Sequence, residues 1–237
     1  MRHKVNVRGK IIPNDYKFYF DFWGEDSTCP NDVQKVLDGM KDGDGLDVYI
    51  NSPGGVIDVG SEIYTLLRQA SEMYDVKLYI TGEACSAASI IACSAYCEMA
   101  PTALMMVHCV STGVVGNHND MEHTAEVLRT ADKALCTAYM AKASMTEEEA
   151  LDMMEQETWL TAEQAKEKGL VDGIMFDESQ AEPSLMVAGN NFTLPTMEQM
   201  EKVRMLLKQT SEEVTNDNEA EKTQLKLNLI RKHRLMD

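Results

Sequence analysis

No two cysteines in this chain are spaced CxxC, although there are six of them: Cys29, Cys85, Cys93, Cys97, Cys109 and Cys136. A zinc site is thereby disfavoured. A site built from Cys93, Cys97, His108 and Cys109 can be imagined, but small apolar packing explains these thiols more simply, and no metal is expected. The chain also lacks a GxxxxGK[ST] loop, so no phosphate-cradling nucleotide site of that kind is expected, and no cofactor is implied. The opening residues MRHKVNVRGK lack the apolar core of a signal peptide, which together with the unpaired thiols points to a reducing cytoplasm. Basic residues are few, 22 against 39 acidic ones, for a net charge of -17. Residues 1–184 carry 31 acids and 14 bases, whereas residues 185–237 carry eight of each. Without clustered Lys and Arg, nucleic acid and anionic membranes are poor partners, and solubility accounts for the charge. Ala84 to Val107 has the length of a membrane span, but Glu98 and Pro101 interrupt it.

What is present is ordinary soluble composition, 44% apolar and 26% charged, over a length that suits one core plus an appendage. VNVRGKII and YKFYFDFW, between Val5 and Trp23, read as strands joined through Pro13 and Asn14. Val33, Val36, Leu37 and Met40 then fall at helical spacing, before the Gly-rich KDGDG. LDVYIN, Leu46 to Asn51, is a strand that leads through SPGG into an amphipathic helix with Ile57, Ile63, Leu66, Leu67 and Ala70. Another strand at Val76–Ile80 precedes a buried helix beginning at Ser86, and ALMMVH ends on His108. Strand, loop and helix recur about every 30 residues, the size of a βαβ crossover, so an α/β domain with parallel strands is predicted. No other repeat is evident.

After VSTGVVGNHND a helix is expected from about Met121 to Ala143. Capping boxes at Thr146/Glu149 and Thr161/Gln164 open two more helices, the second stopping at Gly169. The texture changes beyond Phe176. Residues 1–176 form the expected domain, 177–196 a linker, and 197–237 a helical or partly disordered tail with Met197, Met200, Val203 and Leu207 on one face.

In parallel sheets, sites gather beyond the carboxyl ends of the strands, where SPGG, GEACS and His108 all stand. Ser86 at a helix start can be a simple N-cap or a nucleophile on the positive end of the helix. Gly54 and Gly55 can make a tight turn or expose main-chain N–H groups to a bound carbonyl. His108 can be a hydrogen-bonded structural residue or a general base. The residues alone leave each pair of readings open.

NSPGGVIDVGSEIYTLL, GEACSAASIIA, ALMMVH and WLTAEQAKEKGLVD, in this order, together resemble the Clp protease proteolytic subunit (ClpP) family over roughly residues 5–176. The phage-encoded branch, the ClpP-like head maturation proteases, is the more similar. The resemblance implies an α/β spiral of ββα units, shared with crotonases, with a protruding strand-helix handle and a C-terminal extension. It implies Ser86 as nucleophile, His108 as base, Glu157 as third member counted back from TrpLeuThrAla, and N–H groups of Gly55 and Ala87 as oxyanion donors. Asp152 and Asp172 are the fallback acids, the latter expected to be structural. The handle segment, through Gly113, Val114 and Val115, and Gly54 of SPGG would bind extended peptide. A homo-oligomeric ring acting on protein or peptide follows, in the host cytoplasm or a phage prohead, on capsid or scaffold proteins, or beside a separate ATPase as in housekeeping members. This chain has Ala87 where housekeeping members have Met, and Cys109-Val110 where they have Gln-Pro. An acyl-CoA enzyme of the crotonase type and a silent scaffold ring are the other classes.

Overall fold

Val5, Val7 and Ile11 alternate with polar neighbours along Arg2–Ile11 and are buried while those neighbours face out, which makes this segment strand β1. A computed structural model describes residues 1–177 and, beyond them, only Met205. Two compact units divide the chain, Met1–Gln180 and Ala181–Asp237, and the fold below is that of the first. The expected linker and helical tail lie, from residue 178 onward, outside the described residues.

After β1 come α1 (Lys17–Trp23), β2 (Ser27–Thr28), α2 (Pro30–Leu37), β3 (Gly45–Gly55), α3 (Ile57–Met73) and β4 (Asp75–Cys85). Then follow α4 (Ala87–Ala92), β5 (Tyr96–Met99), β6 (Leu104–Val107), α5 (His118–Ala143), α6 (Glu147–Glu155), β7 (Thr158–Leu160), α7 (Ala162–Glu167) and β8 (Gly173–Ile174). The strands join in one sheet in the order β2-β1-β3-β4-β5-β8, with β6 beside β4 and β7 beside β6. Every pairing is parallel except β6 with β7, so the α/β class expected from the βαβ rhythm holds. Leu46, Val48 and Ile50 of β3 and Leu78 and Ile80 of β4 are wholly buried. Each such side chain stabilises the fold by about 1.5–3 kcal/mol.

The division of partners along β4 builds the site. Its first half, Lys77–Ile80, pairs with β5, and its second half, Glu83–Cys85, pairs with β6 in the register Cys85↔Met106. The residue after β4 therefore lies beside the end of β6. On the other side Ser52 of β3 faces Ala84, which carries the next glycines toward the same point. Helix α3 then packs onto α4 at Gly60, where a Cβ would stand 2.8 Å from the Cβ of Ala87. Only glycine allows that approach.

Four sequence expectations are corrected. YKFYFDFW is a helix rather than a strand, and none of its residues is buried. A Lys17–Asp21 ion pair at 2.7 Å and a left-handed Gly24 that closes the last turn outweigh its aromatic β-propensity, since no partner strand lies beside it. The buried helix after Ser86 ends at Ala92, and Tyr96–Met99 forms β5 instead. Helix α4 is buried on every side and carries no period, and the alternation of β5 spans only four residues. SPGG is no turn but the last part of β3. The strand of the handle is not formed: residues 108–117 carry neither strand nor helix, and none of the sheet pairings reaches them. Its helix is present as α5, started by an Asn117–Asp120 capping box that precedes the expected Met121. Both boxes read from the sequence, Thr146/Glu149 and Thr161/Gln164, form as expected.

Candidate active site

Ser86 joins β4 to α4 with φ 55 and ψ -125, a conformation that costs a non-glycine residue about 1–3 kcal/mol. It is held there by its own N–H, which donates to the carbonyl of Met106 at 2.9 Å, and by its carbonyl, which accepts from Ser89. Its hydroxyl makes no capping bond to α4. Ser86 Oγ stands instead 2.9 Å from Nε2 of His108, the first residue past β6. Of the two readings open for each residue, this contact is the one a nucleophile and its base require.

The glycine end of β3 closes the third side. At Gly54 (φ 93) a Cβ would fall 2.6 Å from the carbonyl oxygen of Cys85 and 2.8 Å from Cβ of Ser86, so the chain passes the serine at a distance that no side chain permits. Ser52, wholly buried, anchors that passage by accepting from the N–H of Gly54 at 3.1 Å and donating to the carbonyl of Gly9 at 2.6 Å. A cavity of about 100 Å³ opens here, lined by Gly55, Ser86, Ala87 and His108 together with Leu135 and Met154. Two larger depressions, of about 440 and 490 Å³, hold no histidine.

The acids fall elsewhere. Glu157 is exposed, and its carboxylate accepts from Trp159 Nε1 at 3.4 Å rather than from His108. Its backbone, at φ 48, turns away between α6 and β7, which is why counting along the sequence misplaces it. Asp152 is exposed on α6 and lines a different depression. Asp172 is structural, as expected: it accepts from the N–H of Cys97 at 2.7 Å and pairs with Lys142. Sequence reasoning missed Asp132. It is a buried carboxylate on α5 that accepts at 2.7 Å from the N–H of Val110, two residues past His108. Its signal was an acid on the same face as Leu128, Leu135 and Tyr139. Gly113, Val114 and Val115 lie in an exposed loop, with open space around Gly113.

All six thiols are free. Burial and then Glu83 push the Cys85 thiol up to about 12, and burial and then Asp132 push that of Cys109 up to about 11. Both stay protonated near neutrality, so neither is a reactive thiolate there. Among the described residues no three His, Cys, Asp or Glu side chains gather as a metal site, and Cys93, Cys97, His108 and Cys109 are not brought together as one. No described helix is long and apolar enough to cross a membrane.

With this geometry in place, comparison with known proteins becomes specific. The Clp protease family matches residues 31–178. The chain belongs to that family. It is 29% identical over 159 residues to ATP-dependent Clp protease proteolytic subunit 1 of Chlamydia abortus, covering 64% of this chain and 81% of the relative. It is 30% identical over 142 residues to the proteolytic subunit of Bacteroides fragilis, covering 59% and 68%. Subunit 1 of Chlamydia caviae is 28% identical over 179 residues, covering 72% and 92%. The family match spans α3, β4, β6 and α7, the elements that carry or frame the Ser86–His108 contact.

Proposed function

We propose that the protein is a serine endopeptidase in which Ser86 attacks the scissile carbonyl and His108 takes its proton and returns it to the leaving amine. The 2.9 Å approach of Ser86 Oγ to His108 Nε2 carries this reading. A positioned base of this kind contributes about 10²–10⁴-fold. The N–H groups of Gly55 and Ala87, on the same cavity, hold the oxyanion. Each such donor is worth about 3–4 kcal/mol in the transition state. The exposed Gly113–Val115 segment, which takes part in none of the sheet pairings, receives the substrate as an extended strand, with Gly54 beside it. No nucleotide enters the chemistry. Subunits assemble as a homo-oligomeric ring in the cytoplasm or a prohead, and the natural substrates are capsid or scaffold precursors, in keeping with the similarity to the phage-encoded branch.

The relatives' description as ATP-dependent proteolytic subunits favours a second reading, in which a separate ATPase feeds unfolded chains to the same site. One experiment separates them. The purified full chain should cleave a short fluorogenic peptide without ATP under both readings. Only the first expects it to trim a co-expressed capsid precursor in cells devoid of Clp ATPases, and an intact precursor there would favour the second. A chain truncated after Asp177, near the end of the family match, should keep peptide cleavage within about threefold of the full chain, which is under 1 kcal/mol.

A further inference from the structure

We propose that Asp132 and Tyr139 of α5 are positioning residues that together set the distance between Ser86 and His108. The inference rests on the peptidase reading above. Seven residues apart, they lie on one face of the helix about 10 Å from each other along its axis. Each reaches one half of the pair. Asp132, 9% exposed, accepts from the N–H of Val110 at 2.7 Å and so fixes the chain that leaves His108. Tyr139, 1% exposed, brings its hydroxyl to 2.7 Å from Ser89 Oγ, and Ser89 donates its proton to the carbonyl of Ser86 at 2.6 Å. Because the Ser89 proton is committed to that carbonyl, the tyrosine hydroxyl is the donor to Ser89. The relay Tyr139, Ser89, Ser86 thus ends on the residue whose backbone is strained and has to be over-determined to stay so.

The bland explanation is that these groups merely satisfy one another in a buried layer. Two observations weigh against it. Asp132 spends its carboxylate on a main-chain N–H beside His108 although burying a carboxylate is unfavourable. And the two hydrogen-bond chains leave the same helix for the carbonyl of Ser86 and for the main chain two residues past His108. Both residues act through the backbone, so they should alter the reaction without touching substrate.

The test uses the full chain and two readouts: kcat and KM for a short fluorogenic peptide, and the rate at which a fluorophosphonate labels Ser86. Tyr139→Phe and Ser89→Ala should each lower kcat and labelling about tenfold with KM within about twofold, the scale of one lost buried hydrogen bond. Because they act through one relay, the double variant should also lose about tenfold and not about a hundredfold. Asp132→Ala should lower kcat by more than about tenfold, whereas Asp132→Asn, which keeps a carbonyl acceptor for the Val110 N–H, should stay within about threefold. Labelling scores only folded molecules, and Tyr139→Phe removes a single oxygen, so misfolding of one variant does not decide the matter. Additive losses, unchanged rates in Tyr139→Phe, or an Asp132→Asn chain as slow as Asp132→Ala would overturn the inference. Failure of the unaltered protein to label at all would instead sink the peptidase reading from which it starts.

Discussion

At the scale of single residues, the site depends on a few atoms having no room to be anywhere else. The glycine at 54 is one such point, since any Cβ there meets both Cys85 and Ser86 at under 3 Å. Gly54→Ala should therefore reduce peptide cleavage more than about a hundredfold, because a displacement near 1 Å at the reacting atoms has effects of that order. A melting temperature that falls while cleavage persists would show that this close approach matters only for stability. Glu157 gives the opposite expectation. Its carboxylate lies in solvent beside Trp159, so Glu157→Gln should leave kcat within about threefold. A loss of about 10⁴-fold, as expected for the orienting acid of a triad, would return Glu157 to His108 in the working enzyme.

Between residues and the whole lie the elements, and here the sequence was legible to different depths. Strands β1, β3 and β4 alternate or run apolar between glycines, and α3 repeats its apolar side chains at helical spacing, so their type and order were readable. Ser86 and His108 were readable because both end such elements. Three features were not. Helix α1 is made of strand-forming aromatics and is fixed by its capping and an ion pair. Strand β5 is only four residues long, too short for the alternation of Cys97 and Met99 with Tyr96 and Glu98 to stand out after the small apolar run before it. The divided partnership of β4, which brings Ser86 to His108, is a long-range pairing that no local pattern encodes. Asp132 was overlooked for a related reason: an acid inside a long helix looks solvated until the packing is known. The end of α5 is itself tied down by Lys142, which donates to the carbonyl of Ala95 at 2.7 Å and pairs with Asp172. Asp172→Ala should lower unfolding stability by about 1–3 kcal/mol in urea titrations, discounted because Asp172 is partly in solvent while Lys142 is not. An unchanged midpoint would mean that the pair does not fasten α5 to β5.

Across the whole molecule, the buried thiols make an alkaline limit. Burial pushes Cys93 up to about 12 and raises Cys97 as well. An unfolded chain ionises its thiols near their ordinary value of about 8.5, while the folded chain keeps these two protonated well above it. The folded state then binds more protons, so stability is unaffected below about pH 8.5 and declines above it by about 1.4 kcal/mol per pH unit for each such thiol. A Cys93→Ala/Cys97→Ala chain should lose stability less steeply between pH 9 and 11 in urea titrations, and parallel slopes would contradict this. The central claim, however, is that one hydroxyl and one imidazole, brought together by β4 and β6, form the reactive centre. Its most direct measurement is intact-mass spectrometry of the full chain after fluorophosphonate treatment, followed by peptide mapping. The account predicts one adduct per chain, on Ser86, absent from Ser86→Ala and slowed more than about a hundredfold in His108→Ala. An adduct on another residue, or labelling that is indifferent to His108, would contradict it.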